Sequence, residues 1–187
     1  MRYSSFVSIV ATMAALSNAA AQTPAADPST KLREILPADV ADHVIMKVQE
    51  ARARELPAQA LENRALMLAS KKIPPADVEL SVSEHAERMQ KAKDAIEQAR
   101  SRRASADEIE ASADAMGKGV DGAQVSALAR GAPSGRSLAV PLFVIGSLVD
   151  RGLPPDEALQ RVQLRLQQRA TDRELLKVPA QARSTRP

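Results

Sequence analysis

Ser137 to Leu166 reads SLAVPLFVIGSLVDRGLPPDEALQRVQLRL, two helical arms joined by a Gly-Leu-Pro-Pro turn. Ser137 is placed to cap the first arm, because its side-chain oxygen can accept an orphan backbone N–H. Pro141 falls in the first turn, where a missing N–H costs little. Leu138, Val140, Leu142, Phe143, Val144, Ile145, Leu148 and Val149 then make the arm apolar nearly all round, the pattern of a buried helix or a membrane span. A span needs ~20 such residues, and Asp150-Arg151 closes this run well short of that. The expectation is a buried helix and no transmembrane span.

Gly152 stands where a helix end wants positive φ, and Arg151 complements the carboxyl end of the dipole. Pro154-Pro155 presets the next helix, and Asp156-Glu157 brings negative charge to its N-terminus. In the second arm Leu159, Val162, Leu166 and Ala170 share a face, and Arg161, Arg165 and Arg169 form a stripe beside it. Leu164 falls off the apolar face. A hairpin of this kind needs a further layer to cover it.

Upstream, the same punctuation recurs at Leu36-Pro37, Leu56-Pro57, Lys72-Ile73-Pro74-Pro75 and Gly119-Val120-Asp121. Each places an aliphatic residue before a proline or aspartate cap, where it can pack back on the first turn as a hydrophobic staple. The later restarts are spaced ~33 to ~47 residues apart, in the range of helical-hairpin repeats. Between them run helices with inward stripes: Val40, Ala41, Val44, Ile45, Val48 and Ala51; Leu61, Ala65 and Leu68; Val78, Val82, His85, Met89 and Ile96. Ser105 and Glu108 have the spacing of a capping box. Helix is expected to continue from the second arm to about Lys177.

Composition supports an all-α chain. Aromatic residues are 2% of it, against 44% hydrophobic overall. Strands favour aromatic and β-branched residues, whereas the alanine, leucine, glutamine, glutamate and arginine that dominate here are helix formers. The fold class expected is all-α, with helical hairpins forming a small α-solenoid-like stack or an orthogonal bundle.

The N-terminus reads as an address. Arg2 supplies a positive n-region, Phe6 to Leu16 an apolar h-region, and Ala19-Ala20-Ala21 small residues for a cut before Gln22. Tyr3 and Phe6 leave with that leader, so Phe143 is the one aromatic of the mature chain. With no cysteine there is neither a lipobox thiol nor a disulfide, which fits a bacterial periplasm or secretion. The organisation expected is a signal peptide over 1–21, a disordered polar lead-in over 22–35, one helical domain over 36–177 and a flexible basic tail over 178–187.

Catalysis is poorly supplied, and no cofactor is implied. A nucleophile elbow, a His-Glu-x-x-His helix and a glycine-rich phosphate loop are all lacking. Gly131 to Ser137, GAPSGRS, puts glycines and an arginine before a helix N-terminus, a generic anion-binding arrangement that also serves as a plain inter-helix loop. A carboxylate-only enzyme would need two acids converging in a pocket. The two histidines each precede a methionine, His43 with Met46 and His85 with Met89, and imidazole with thioether is a copper(I) ligand set.

The net charge of +3, with a pI of about 9.4, is mild and concentrated late. Nucleic-acid readers add stacking aromatics or a groove-reading motif, and neither is present. Arg161, Arg165 and Arg169 suit a solvated face, an anionic cell-envelope surface or a partner. The function expected is non-catalytic: a helical binding or scaffold module for a protein or peptide of the bacterial cell envelope. Copper handling or envelope stress through the His–Met pairs is the alternative.

Overall fold

The computed structural model describes residues 28–181, and their regular structure is entirely helical. The leader expected over 1–21, the start of the lead-in and residues 182–187 lie outside the described residues. The helices are α1 (Pro28–Ile35), α2 (Ala38–Ala53), α3 (Ala58–Ser70), α4 (Pro75–Arg100), α5 (Ala106–Met116), α6 (Gly122–Gly131), α7 (Ala139–Val149) and α8 (Pro155–Gln167), followed by the short α9 (Asp172–Leu175) and α10 (Val178–Gln181). Among the described residues no helix is long and apolar enough to cross a membrane.

The restarts share one hydrogen-bonded device. Leu56 N–H donates to the Ala51 carbonyl while Glu55 N–H donates to Arg52. The same pair of bonds recurs as Ile73 to Leu68 with Lys72 to Ala69, Val120 to Ala115 with Gly119 to Met116, and Leu153 to Leu148 with Gly152 to Val149. It recurs once more as Ala170 to Arg165 with Arg169 to Leu166. These are Schellman caps, which satisfy the orphan carbonyls of a helix end through one residue in the left-handed region. That residue is Glu55, Lys72, Gly119, Gly152 or Arg169, with φ of 57°, 59°, 101°, 87° and 58°. The aliphatic-plus-proline signature therefore closes one helix as much as it opens the next. Leu36-Pro37 differs: Leu36 N–H still bonds to Leu32 as in a continuing helix.

Cross-helix contacts fix the directions. His43 meets Glu79, and farther along Lys93 donates to the Arg54 carbonyl, so α2 and α4 run parallel. Ser126 bonds to the Ala95 carbonyl and Arg100 to that of Ala129, making α4 and α6 parallel. Gln124 with Asp156 and Gln163 with Ala127 do the same for α6 and α8. Helices α2, α4, α6 and α8 thus form one row, against which α3, α5 and α7 pack. α5 and α7 are themselves parallel, with Leu138 beside Glu108, Gly146 against Ala115, and Asp150 paired with Lys118.

Two apolar cores result. The first joins Leu32, Val44, Leu61, Val82, Met89 and Ile109; the second joins Ile96, Leu128, Leu142, Ile145, Val162 and Leu175. Each such side chain contributes roughly 1.5–3 kcal/mol through burial. Helices α4 and α5 belong to both cores, through Met89 and Ile96 on one and through Ile109 and Ala115 on the other.

Several expectations are corrected. The lead-in over 22–35 contains α1, because Leu32 and Leu36, one turn apart, bury against the first core. Helix does not run through to Lys177: Arg169 ends α8, and Thr171 with Glu174 forms a capping box that starts α9. The tail over 178–187 begins later, since Val178 is 4% exposed and packs in the second core. Ser137 does not cap α7 directly: Leu138 holds the cap position, and the Ser137 hydroxyl accepts from Ala139 N–H. Phe143, expected inside, is 57% exposed.

Candidate functional site

The most organised polar site grows from the α5 capping box. Glu108 accepts from Ser105 N–H at 3.0 Å, and the Ser105 hydroxyl accepts from Glu108 N–H at 3.2 Å. The long-range partners are what make it a site. Arg102 donates to the two Glu108 oxygens at 2.9 and 2.6 Å, and Leu138 N–H, at the start of α7, donates at 2.9 Å. Arg100 Nη1 stands 4.0 Å away. A carboxylate only 1% exposed is thereby saturated with donors.

The electrostatics follow from that geometry. Burial pushes the Glu108 carboxyl up, but the Arg102 hydrogen bonds, then the Ser105 and Leu138 N–H groups, outweigh it and hold the carboxyl at about 2. Arg102 is raised, chiefly by its bond to Glu108. Arg100 is lowered, first by burial and then by the Arg102 charge, with Glu108 opposing. Glu108 is ionised at neutral pH and fully engaged, so it is a clamp and no proton donor. The anion that the N-terminus of α7 receives, through Leu138 N–H, is this internal carboxylate.

Arg100 extends the clamp. Its side chain is 6% exposed and donates to the carbonyls of Ala129, Arg136 and Pro133, tying α4 to the end of α6 and its loop. Arg136 in turn reaches the Ala170 carbonyl and Asp172, ahead of α9 and at its start. Beside the clamp opens a cleft of about 360 Å³, lined by Arg100, Arg102, Arg130, Ser134, Gly135 and three alanines. The capping pair and the Gly131–Ser137 loop are legible in the sequence, but Arg100, Arg102 and Arg130 are not, because they act across contacts that sequence spacing does not encode.

The histidine–methionine candidates part company. His43 Nδ1 pairs with Glu79 at 3.2 Å on the α2–α4 seam, and Met46 is exposed. His85 and Met89 are shut in the first core, and His85 Nδ1 has no hydrogen-bond partner. Burial, then the Arg64 charge, draws His85 down to about 4; Asp114 opposes this and Arg88 adds to it. Glu79 and His85 lie six residues apart on α4, about 9 Å along its axis. Among the described residues no group of three or more His, Asp or Glu is placed to hold a metal ion.

Arg161, Arg165 and Arg169 all face solvent. Arg165 bonds to Gln168 at 3.3 Å and lines a second cleft with Glu174 and Lys177, while Arg161 and Arg169 stand outside it. Leu164, off the apolar stripe, is 54% exposed between Arg161 and Arg165. On α5, Asp107, Glu110 and Asp114 make an exposed acidic stripe. Glu110 is raised by burial and then by the Asp114 and Asp107 charges. No family model, curated protein or solved structure matches this chain.

Proposed function

We propose that this chain is an exported bacterial protein, periplasmic or secreted, that acts as a non-catalytic helical binding module for a protein or peptide of the cell envelope. On this reading the hairpins stack as a small α-solenoid-like repeat and the leader over 1–21 directs export. The Arg2, Phe6 to Leu16 and Ala19-Ala20-Ala21 pattern supports the address. The parallel row α2, α4, α6 and α8 supports the stacking, since helical-repeat proteins bind through the surfaces such rows present.

The observation that carries the binding reading is the outer face of α8. There Leu164 lies open to water between Arg161 and Arg165, and neither arginine has a carboxylate within ion-pair distance among the described residues. An exposed aliphatic flanked by guanidiniums that no carboxylate neutralises suits an acidic segment carrying an apolar side chain. Copper handling is the weaker reading, because the core encloses His85 and Met89 while Glu79 engages His43.

The test compares capture from envelope extract by the mature chain and by an Arg161→Glu, Leu164→Asp double variant. A specific partner held by the former and lost by the latter is expected. Equal capture by both excludes the α8 face, and a mature N-terminus other than Gln22 excludes the address.

A further inference from the structure

Hydrogen-bond accounting around the cleft beside the clamp is one-sided. Arg100 takes up the acceptors there, the carbonyls of Ala129, Pro133 and Arg136. The donors of the same loop are left over. The N–H groups of Ser134 and Gly135, and the Ser134 hydroxyl, have no partner among the described residues. Both residues line the cleft with Arg100, Arg102 and Arg130. A helix C-terminus ordinarily repels anions through its dipole. Here a buried guanidinium sits on one carbonyl of the last turn of α6, that of Ala129, and on two of the loop beyond it.

The charge count points the same way. Arg100 and Arg102 share one carboxylate, Glu108, and Arg130 has none within ion-pair distance among the described residues. Gly135 has φ +82°, with open space where a Cβ would stand, so a ligand can approach its backbone closely.

We infer that this cleft binds a phosphate group carried by a small molecule, with the Arg130 guanidinium, the Ser134 hydroxyl and the Ser134 and Gly135 N–H groups as donors. Arg100 and Arg102 form a positive floor beneath it. A tetrahedral oxyanion accepts from several directions, which matches donors drawn from both α6 and the loop. At about 360 Å³ the cleft is at the small end of ligand pockets, with room for the phosphate and part of its carrier.

Inorganic phosphate and glycerol 3-phosphate, titrated calorimetrically into the full chain at low salt, test this. Saturable one-to-one binding is expected, weakened about tenfold by Arg130→Ala and severalfold by Ser134→Ala, and unchanged by Arg161→Ala. The substituted residues are exposed and unpaired, so helicity is retained, and the wild-type amides of Ser134 and Gly135 provide a second readout by showing the largest NMR shifts on phosphate addition. Sedimentation with phosphatidylglycerol–phosphatidylcholine vesicles separates the sources: binding that free phosphate displaces assigns the cleft to a lipid headgroup, and no vesicle binding assigns it to a soluble phosphate. Absence of saturable binding, equal affinity in Arg130→Ala, or shifts centred elsewhere overturns the inference. Vesicle binding indifferent both to phosphate and to Arg130→Ala does the same.

Discussion

Replacing Glu108 by glutamine removes one charge and almost no volume, so its cost measures the clamp. The carboxyl is held at about 2 in the fold against 4.5 for an ordinary glutamate, a difference of about 2.5 units. At 1.36 kcal/mol per unit, that linkage is worth roughly 3 kcal/mol. A second route gives a similar figure: breaking a buried ion pair by removing one partner costs about 3–5 kcal/mol. The two routes describe the same interaction and are not summed. Glutamine offers one acceptor oxygen and an NH2 group that must face an Arg102 donor together with the N–H of Leu138 or of Ser105. Urea unfolding followed by circular dichroism near neutral pH should therefore show a loss of about 3 kcal/mol. Because the folded pKa lies below the unfolded one, this stabilisation is complete above about 4.5 and is lost as pH falls towards about 2. The gap between wild type and variant should close across that window. A neutral-pH difference below about 1 kcal/mol, or one independent of pH, refutes the clamp.

His85 should dominate a separate pH window. Its neutral ring is buried among the Arg64, Arg88 and Asp114 charges, and its pKa falls from 6.5 to about 4, so the unfolded chain takes up a proton first and stability declines by about 3 kcal/mol between those values. His85→Leu should flatten that decline in chemical denaturation, and an unchanged slope excludes the assignment. The left-handed caps give a pair of opposite substitutions. Lys72→Gly should raise stability by about 0.5–1 kcal/mol by relieving its positive φ, while Gly152→Ala, which meets open space, should lower it by about 1 kcal/mol through backbone strain alone. Thermal midpoints that move together in both variants contradict the Schellman geometry.

The parts of the fold legible in the sequence are those set by local chemistry. The six residues assigned to the inward face of α2, Val40 to Ala51, are its buried residues, because a 3.6-residue pattern with polar flanks has a defined phase. The turns at Leu56, Ile73, Val120 and Leu153 were readable because a left-handed cap, an aliphatic and a proline or aspartate sit in consecutive positions. Phe143 departs from its expected interior place because α7 is apolar on nearly every side, and such a helix carries no phase. α1 hid in a polar stretch whose only signal is Leu32 one turn before Leu36. The α9 capping box has its signal in Thr171 and Glu174, spaced as a cap and its N3 partner. The clamp had half a signal: Ser105 and Glu108 are neighbours in sequence, but Leu138 lies thirty residues farther on. Charge pairing across a fold leaves no periodic trace.

The 26 residues of α4 serve two interiors in turn, Val78 to Met89 facing one and Ala95 and Ile96 the other. A helix advances about 100° per residue, so a single residue gained or lost between Met89 and Ala95 would swing Ile96 out of its seat while leaving Val82 in place. The helix is thus a phase standard for the whole molecule. Its ends can fray or extend without cost to that register, but the spacing between its two sets of contacts cannot change.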